Sequence, residues 1–485
     1  MNAQNILILG GGTAGLTTAL ILKTRFPSKT VTVVKSNKIG IIGVGEGSTE
    51  HWSYFMQYVG IDYEELLVKT DATLKQGVMF ENWTKDNFMH SVPSRLNDLR
   101  VGQYLSGYGY LISEHADKKD LNIKSSWDNL INADFLENNQ WATNQFHFNT
   151  FKLNDFLEQH CKLKNIAIID DEIVDVKINN NIIKSITGEK QTYQADFFID
   201  STGFKRFLIS KLGATWQSYS EWLKMKEVIA FQTPDTDNYN AYTLCRAMKC
   251  GWMFRIPVWG RWGNGYVFDS NYITKEQAQQ EVEEYLGHTV EIARNIKFDP
   301  GCLDKSWIGN CVAVGLSANF VEPLEATSIG STINQVFLLT NYLNNYTDDS
   351  ITQYNTKVTN IMENIRDFII LHYMVDKTES EFWKDIKNIK IPSSLQAKLN
   401  RWKHSLPIRE DFLSTDYLLF FEQNWINLLY GMDKFNTASI KEEFNSLNTE
   451  FKNKTKDVAF EQPVPSLVTH KEYLKYLRTR NGIVN

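Results

Sequence analysis

Cysteine is scarce in this chain, and its distribution excludes two kinds of structural site. The 485 residues include five cysteines, an odd number, and no two of them have Cys-x-x-Cys spacing. The distribution argues against a disulfide framework and against a zinc site, so we expect reduced thiols in a cytoplasmic protein. No metal site is predicted, and His147 and His372 are interpreted as ordinary packing or hydrogen-bonding residues.

An excess of basic residues and a long apolar run are also missing. The 51 Lys and Arg are outnumbered by 57 Asp and Glu, which gives a net charge of −6 and no basic surface for nucleic acid. No uninterrupted apolar run reaches the length of about 18 residues that a transmembrane helix needs, so we predict no membrane span. The apolar segment 6–22 has no basic region before it and contains glycines, so it is not interpreted as a signal peptide.

A glycine turn near the amino terminus has the pattern of a dinucleotide-binding site. Residues 10–15 read Gly-Gly-Gly-Thr-Ala-Gly, which satisfies GxGxxG between an apolar strand and a helix. Gly10 would allow the tight turn, Gly12 would let the backbone approach a pyrophosphate, and Gly15 would allow close packing of helix on strand. The first N–H groups of the helix would then face the phosphates. The alternative is a glycine-rich turn without a ligand.

The residue that usually binds the adenosine ribose is missing from its expected place. An acidic residue should end the second strand, about twenty residues after the glycine turn. Here the second strand, at 31–34, is followed by Lys35, whose ammonium cannot accept hydrogen bonds from ribose hydroxyls. Lys35 could face a phosphate or simply be solvated. A 2′-phosphorylated nicotinamide cofactor therefore stays open as an alternative.

The remaining pattern predicts a mixed α/β chain that becomes helical after about residue 330. From there onward, apolar residues recur at helical spacing and alternate with polar faces rich in Asn and Lys. The elements predicted before that point are strands at 5–9, 31–34, 167–170 and 195–200, and helices at 16–24 and 151–162. A hairpin of 172–178 with 182–187 is also predicted, with its turn at Asn179 and Asn180.

Seven segments, taken in chain order, resemble the flavin-dependent tryptophan halogenases. The similarity covers most of the chain, although residues 107–141 match no motif of that family, and Lys35, Phe254 and Ser328 depart from its pattern. The matching segments are 43–49 (GVGEGST), 74–83 (LKQGVMFENW), 198–204 (FIDSTGF), 251–257 (GWMFRIP), 314–327 (VGLSANFVEPLEAT), 366–368 (RDF) with 372–373 (HY) and 382–383 (FW), and 425 (W) with 431–432 (GM).

The resemblance implies a fold and a domain organisation. It implies an α/β protein with a Rossmann-like FAD-binding domain of the flavin monooxygenase type, built from discontinuous segments, and with a mainly helical substrate lobe. We expect residues 1–330 to form the FAD-binding domain with inserted segments of the substrate lobe. Residues 331–485 would form the helical lobe.

The resemblance also implies a reaction and its partners. Reduced FAD from a separate flavin reductase would act with O2 to oxidise chloride, bromide or iodide to hypohalous acid. That oxidant would pass through an internal tunnel to an indole or another electron-rich aromatic. No nucleic-acid or membrane partner is expected, and the sequence leaves a homo-oligomer open.

The family's motifs give binding roles to residues of this chain. A halide would bind at Thr327 and Ser328, where a helix begins and Thr is a good N-cap. Trp252, Phe254 and Pro257 would separate the substrate from the flavin. The alternative for Trp252 and Phe254 is core packing, which is usual for alternate bulky rings on a strand. The residues expected to contact FAD are Gly10, Gly12, Thr13, Ala14, Gly15, Ile42, Gly43, Gly45, Glu46, Val174, Asp200, Gly203, Gly315, Leu316 and Ile329.

Two residues are expected to be catalytic. The ammonium of Lys75 would polarise hypohalous acid through a hydrogen bond, or its neutral amine would form a haloamine. The alternative is a surface lysine with a solvated head. Glu325 would take the ring proton or orient Lys75, and its alternative is an acidic residue that only favours a helix amino terminus.

Two other functions stay open at the level of sequence. One is a flavin-dependent hydroxylase of the same fold, which would need neither Lys75 nor the motif around Trp252. The other is a non-catalytic flavoprotein, in which Lys35, Phe254 and Ser328 would be marks of decay.

Overall fold

The chain divides into two compact units, each assembled from three separate stretches of sequence. The computed structural model describes residues 3–40, 46–91, 95–114, 130–132, 145–459 and 467–483. The first unit comprises Met1–Ala72, Phe148–Glu221 and Asp299–Glu363, and the second comprises Thr73–His147, Trp222–Phe298 and Asn364–Asn485. The domain boundary expected at residue 330 stays a prediction.

Strands and helices are numbered here in chain order over the described residues. The strands are β1 Asn5–Leu9, β2 Thr30–Lys35, β3 Glu46–Gly47, β4 Thr73–Lys75, β5 Gly77–Glu81, β6 Phe88–Ser91, β7 Leu130–Asn132, β8 Gln145–Phe148, β9 Ala167–Asp170, β10 Ile173–Asn179, β11 Ile182–Gly188, β12 Thr192–Tyr193, β13 Phe197–Asp200, β14 Trp216–Ser218, β15 Glu227–Pro234, β16 Thr243–Met248, β17 Gly251–Val258, β18 Arg261–Phe268, β19 Ile292–Lys297, β20 Gly301–Leu303, β21 Trp307–Ile308, β22 Cys311–Ala313, β23 Asn319–Phe320 and β24 Leu467–Thr469. The helices are α1 Thr13–Arg25, α2 His51–Val59, α3 Tyr63–Lys69, α4 Ser106–Glu114, α5 Thr150–Leu163, α6 Lys275–Leu286, α7 Thr327–Tyr342, α8 Asp348–His372, α9 Glu381–Lys387, α10 Ser393–Trp402, α11 Glu422–Gly431, α12 Thr437–Asn445, α13 Thr449–Ala459 and α14 His470–Arg480.

The first unit is organised around a six-stranded sheet with the order β21–β22–β13–β1–β2–β9. All its neighbouring strands are parallel except β21 and β22. Parallel strands need crossover connections that cover the sheet, and α1, which follows β1, packs against α5 and α7. Four of the five residues of β1 are buried, as expected for a central strand. The predicted α/β class with a Rossmann-like sheet is confirmed.

The hairpin predicted after β9 is present, with its turn one residue later than expected. Strands β10 and β11 pair in antiparallel fashion, and the residues between them include Asn180 and Asn181, with φ of 50° and 57°. Asparagine tolerates the left-handed conformation that both central residues of such a tight turn adopt. The sequence contains three consecutive asparagines, so composition alone did not fix which two form the turn.

The second unit contains a seven-stranded sheet with the order β19–β15–β18–β17–β16–β5–β6. Its neighbouring strands are antiparallel except β16 and β5. Large rings pack together in this unit: the ring of Trp83 lies 6.4 Å from that of His372 and 5.7 Å from that of Trp383. His372 also donates from Nδ1 to the Phe368 carbonyl at 2.8 Å. These residues therefore have a packing role.

Membrane-spanning helices and metal clusters are both absent from the part of the chain that the structure describes. Within them, no helix combines the length and the apolar character needed to cross a bilayer. The same residues contain no group of three or more His, Cys, Asp and Glu side chains that could hold a metal ion. All five cysteines are buried free thiols.

Candidate active site

The glycine turn of the first unit has the steric features of a pyrophosphate cradle. Gly10 has φ of +117°, and a Cβ there would lie 2.3 Å from the Ser201 carbonyl oxygen. A Cβ at Gly15 would lie 2.0 Å from the Gly10 carbonyl oxygen. At Gly12, by contrast, a Cβ would meet no described heavy atom within 4 Å, so this side of the turn is open. Among the described residues, the turn is therefore closed at Gly10 and Gly15 and open at Gly12, the position at which the dinucleotide fold lets a pyrophosphate approach.

Helix α1 begins at Thr13, earlier than predicted, so Ala14 and Gly15 belong to its first turn. Its N-cap is Gly12, which has no side chain to cap the helix, and the first turn contains no acidic residue. The first N–H groups of a helix lack intrahelical partners and carry partial positive charge, which suits an anionic phosphate. The residues present therefore fit the pyrophosphate of a dinucleotide such as FAD.

Asp200 organises the loop that lies beside this turn. Its Oδ1 accepts from the Thr202 N–H at 3.0 Å and from the Ser317 hydroxyl at 3.1 Å, and its Oδ2 accepts from the Leu208 N–H at 2.7 Å and the Ile209 N–H at 2.9 Å. The side chain of Asp200 is 0% exposed. A carboxylate so fully engaged acts by positioning the backbone of the loop.

The same network brings other predicted flavin residues together. The Ser317 hydroxyl also donates to the Gly203 carbonyl at 3.1 Å. Gly315 has φ of +61°, and a Cβ there would lie 2.6 Å from that of Ala14. Leu316, in the same short turn, is partly buried. The carboxyl-terminal ends of β13 and β22 therefore lie beside the start of α1. A ligand of a parallel sheet binds at this edge.

The structure says less about five other residues that were predicted to contact FAD. Ile42, Gly43 and Gly45 lie outside the described residues. Glu46 is described only as backbone of β3. Val174 lies on β10, in a three-stranded sheet, and is 56% exposed.

The turn predicted to bind a halide has an unusual backbone. Glu325 and Ala326 adopt consecutive left-handed conformations, with φ of 63° and 56°, immediately before α7. The N-cap of α7 is Ala326, which corrects the expectation that Thr327 caps this helix. Two consecutive non-glycine residues in this region are strained, and such strain persists where the surrounding structure imposes it, commonly at functional sites.

The first turn of α7 is partly enclosed. Thr327 is 4% exposed, whereas Ser328 and Ile329 are partly buried. The Ser328 carbonyl accepts from the Thr332 hydroxyl at 2.8 Å. No acidic residue lies in this turn, so its N–H groups can serve an anion. Glu325 itself is 5% exposed.

Lys75 belongs to the second unit and is buried. It is 1% exposed at the end of β4, opposite Gln145 of β8. A solvated surface lysine would have an exposed ammonium, so that alternative does not describe Lys75. A lysine is costly to bury and is among the residues least often found inside a protein, so its placement calls for a chemical reason.

His147 is held on the strand next to Lys75 as a neutral imidazole. The Thr73 hydroxyl donates to the Pro257 carbonyl at 2.7 Å, so it accepts from His147 Nδ1 at 3.2 Å. His147 Nε2 then accepts from the Thr243 hydroxyl at 2.8 Å. Burial lowers the pKa of His147 well below its ordinary value, and the charge of Lys75 lowers it further.

His470 is a second neutral imidazole that the sequence did not reveal. Its Nε2 accepts from the Leu74 N–H of β4 at 3.0 Å, and its Nδ1 donates to the Asn240 carbonyl at 3.1 Å. Burial lowers its pKa to about 4. The only local signal was a capping box, Thr469 with Glu472, which marks the start of α14 but not a contact with β4.

The rings predicted to separate substrate from flavin lie on β17. Trp252 is 1% exposed and Phe254 is 7% exposed, and their ring centroids are 5.9 Å apart. Phe254 lies opposite Gly265 of β18, where a Cβ would come within 2.4 Å of the Phe254 ring. Pro257 follows on the same strand, and its carbonyl holds the Thr73 hydroxyl of β4. The strand of the rings and the strand of Lys75 are therefore joined directly.

The chain is similar to known proteins along most of its length. Residues 5–442 match the family model described as tryptophan halogenase. The tryptophan 6-halogenase SttH of Streptomyces toxytricini is 30% identical over 449 residues, covering 84% of this chain and 86% of that protein. The 7-chloro-L-tryptophan 6-halogenase KtzR of a Kutzneria species is 31% identical over 447 residues, with coverage of 84% and 86%.

A solved structure of a tryptophan halogenase is similar to this chain over nearly its full length. The tryptophan halogenase of Shewanella frigidimarina matches with a TM-score of 0.84 at 26% identity, covering 99% of this chain and 98% of that one. The chain belongs to the tryptophan halogenase family, which confirms the predicted flavin-dependent aromatic halogenation.

Proposed function

We propose that the chain uses reduced FAD, O2 and a halide to halogenate an indole or another electron-rich aromatic through hypohalous acid. The single observation that carries the proposal is Lys75, which is 1% exposed beside two imidazoles held neutral. A hydroxylase of the same fold would have no need of a buried lysine here. The family membership likewise does not favour hydroxylation or a non-catalytic flavoprotein.

The flavin is FAD in this proposal because the first unit has a dinucleotide turn. Gly12 and the start of α1 would hold the pyrophosphate, while Gly203 and Gly315 would let backbone approach the flavin. When bound, reduced flavin would supply two electrons for the reduction of O2, and the halide would supply the other two as it is oxidised to hypohalous acid, with release of water. The chain has one GxGxxG pattern and no second dinucleotide fingerprint, so a separate reductase would supply the reduced flavin.

Lys75 would activate the oxidant in one of two ways. As an ammonium, it donates a hydrogen bond to the oxygen of hypohalous acid and polarises the oxygen–halogen bond. As a neutral amine, it exchanges one hydrogen for the halogen, and water leaves. In either form the halogen is delivered to the aromatic carbon as an electrophile.

Glu325 would complete the substitution by accepting the ring proton that the halogen replaces. The N–H groups at Thr327 and Ser328 would hold the halide before its oxidation. Trp252, Phe254 and Pro257 would keep the substrate away from the flavin, so that halogen and not oxygen is transferred. A cytoplasmic location stays a prediction, and a homo-oligomer stays open.

Product analysis by mass spectrometry tests the function. The purified chain is incubated with FAD, a flavin reductase, NADH and a panel of indoles and phenols, with chloride, bromide or iodide in turn. The named relatives act on tryptophan or chlorotryptophan, so tryptophan heads the panel. We expect a product whose mass follows the halide. Hydroxylated product without halide dependence would favour the monooxygenase, and FAD binding without any product would favour the non-catalytic flavoprotein.

A further inference from the structure

Lys35, the residue that replaces the usual ribose-binding acid, is neither solvated nor available to a phosphate. Its ammonium forms an ion pair with the carboxylate of Glu158, on helix α5. The side chains of Lys35 and Glu158 are only 22% and 14% exposed. The pair is neutral, so it offers no net positive charge to a 2′-phosphate, and the phosphorylated nicotinamide alternative loses its support.

The ion pair lies beside the glycine turn. Lys35 is the last residue of β2, in register with Asp170 of β9. Its aliphatic stem runs along the turn, since a Cβ at Gly11 would lie 2.5 Å from Lys35 Cδ. Helix α5 packs against α1, the helix that follows the turn. Glu158 therefore brings a carboxylate to the end of β2, where the dinucleotide fold normally has one.

We infer that Glu158 is the acceptor for the adenosine ribose hydroxyls of FAD, displaced from the end of β2 to helix α5 and held in place by Lys35. The inference rests on the proposed use of FAD. Glu158 receives hydrogen bonds from Lys35 and, at 3.4 Å, from Asn154, and both bonds go to Oε1. Oε2 is then the oxygen that would face the two ribose hydroxyls. These hydroxyls donate hydrogen bonds, so the group that binds them must be an acceptor.

Binding of oxidised FAD to the full chain, followed by flavin fluorescence or calorimetry, tests this role without catalysis. Glu158→Gln keeps one neutral acceptor oxygen but loses the charge and the second acceptor, so it should weaken FAD binding about 10-fold. FMN lacks the adenosine, so its affinity should not change. Asp155→Asn removes a carboxylate from an exposed position of the same helix and should leave both affinities unchanged.

Two double variants distinguish ribose binding from simple charge balance. Lys35→Met with Glu158→Gln removes both charges. If Glu158 binds the ribose, the affinity of this double variant for FAD should remain low. Recovery of FAD affinity in that variant would overturn the inference. Lys35→Glu with Glu158→Lys returns the acid to the end of β2 and should restore FAD binding, and failure to do so in a variant with normal thermal unfolding would also overturn it.

The outcomes for the inference and for the proposed function are separate. Unchanged FAD affinity in Glu158→Gln overturns the inference, whatever the wild-type chain produces. If FAD affinity is unchanged in Glu158→Gln but the wild type forms halogenated product, the proposed function is retained. A wild-type chain that binds FMN and FAD equally would overturn both the ribose contact and the assignment of FAD.

Discussion

At the scale of single residues, the central feature is a buried lysine near two neutral imidazoles. His147 and His470 are both fully enclosed, and burial is the largest cause of the lowered pKa of each. Neutral imidazoles add no second positive charge near Lys75. An ammonium in such a site interacts with a small polar molecule more strongly than it would in water, because the local dielectric is low. This setting suits activation of hypohalous acid.

Glu325 provides the first residue-scale prediction. Glu325→Gln keeps the size of the side chain and its ability to accept a hydrogen bond, but the amide cannot take a proton. We expect the rate of halogenation to fall by about 100-fold, the lower range for general base catalysis, with little change in flavin binding. Single-turnover product formation and a flavin titration measure the two quantities. An unchanged rate would show that Glu325 only shapes the turn before α7.

At the scale of elements, α14 fixes the strand that carries Lys75. The bond from the Leu74 N–H to His470 joins residues 396 positions apart, and α14 lies after residue 442, where the match to the family model ends. A β-strand of three residues has few hydrogen bonds of its own, so an outside acceptor contributes substantially to its position. His470 is therefore a positioning residue for Lys75.

The pKa of His470 predicts how stability depends on pH. Its folded-state pKa of about 4 is below the ordinary value of 6.5, so the unfolded chain binds the proton more readily. Its contribution to the free energy of unfolding is complete above about pH 6.5 and is lost as pH falls towards 4. His470→Gln, whose amide can accept from Leu74 and donate to Asn240, should reduce this loss.

Thermal unfolding of wild type, His470→Gln and His470→Leu between pH 4 and 8 checks the prediction. His147 and His51 also have lowered pKa values because of burial, so the dependence on pH should become weaker without disappearing. The Gln variant should retain halogenation, whereas the Leu variant should yield less product for each reduced flavin consumed. Equal pH dependence in wild type and Gln variant would contradict the assigned role.

Some elements could be predicted from sequence because their cause is local. The glycine turn follows from steric needs at Gly10, Gly12 and Gly15, and the hairpin follows from asparagines that tolerate positive φ. Other features depend on residues far apart in the chain. Neither the pair of Lys35 with Glu158, 123 positions apart, nor the contact of His470 has a spacing that a sequence pattern could reveal. The N-cap at Ala326 was missed because the preceding turn, and not residue preference, sets its conformation.

At the scale of the whole molecule, the predicted roles fall into two groups. The flavin and halide residues belong to the first unit, whereas Lys75 and the ring residues belong to the second. Flavin binding and oxidant activation should therefore respond to different substitutions. This separation allows each part of the proposed reaction to be measured in variants that leave the other part intact.

The absence of a second dinucleotide pattern leads to a prediction for the whole chain. Purified protein with FAD and NADH, but without a reductase, should not oxidise NADH at a rate comparable to halogenation. The physical reason is that hydride transfer needs a nicotinamide held against the flavin, and the sequence has one GxGxxG turn. Steady-state absorbance of NADH measures this. Rapid turnover by the chain alone would contradict the requirement for a separate reductase.

Lys75→Ala, measured by product formed per reduced flavin consumed, tests the proposed reaction most directly. The substitution removes a charge that is costly to bury, and the residues assigned to FAD belong to the other unit. We therefore expect the variant to fold, with some loss of stability from the cavity it leaves, and to bind FAD normally. It should still consume reduced flavin and O2 and release peroxide or free hypohalous acid, while enzyme-directed halogenation becomes almost undetectable. Full halogenation by the variant, with the site selectivity of the wild type, would contradict the role of Lys75.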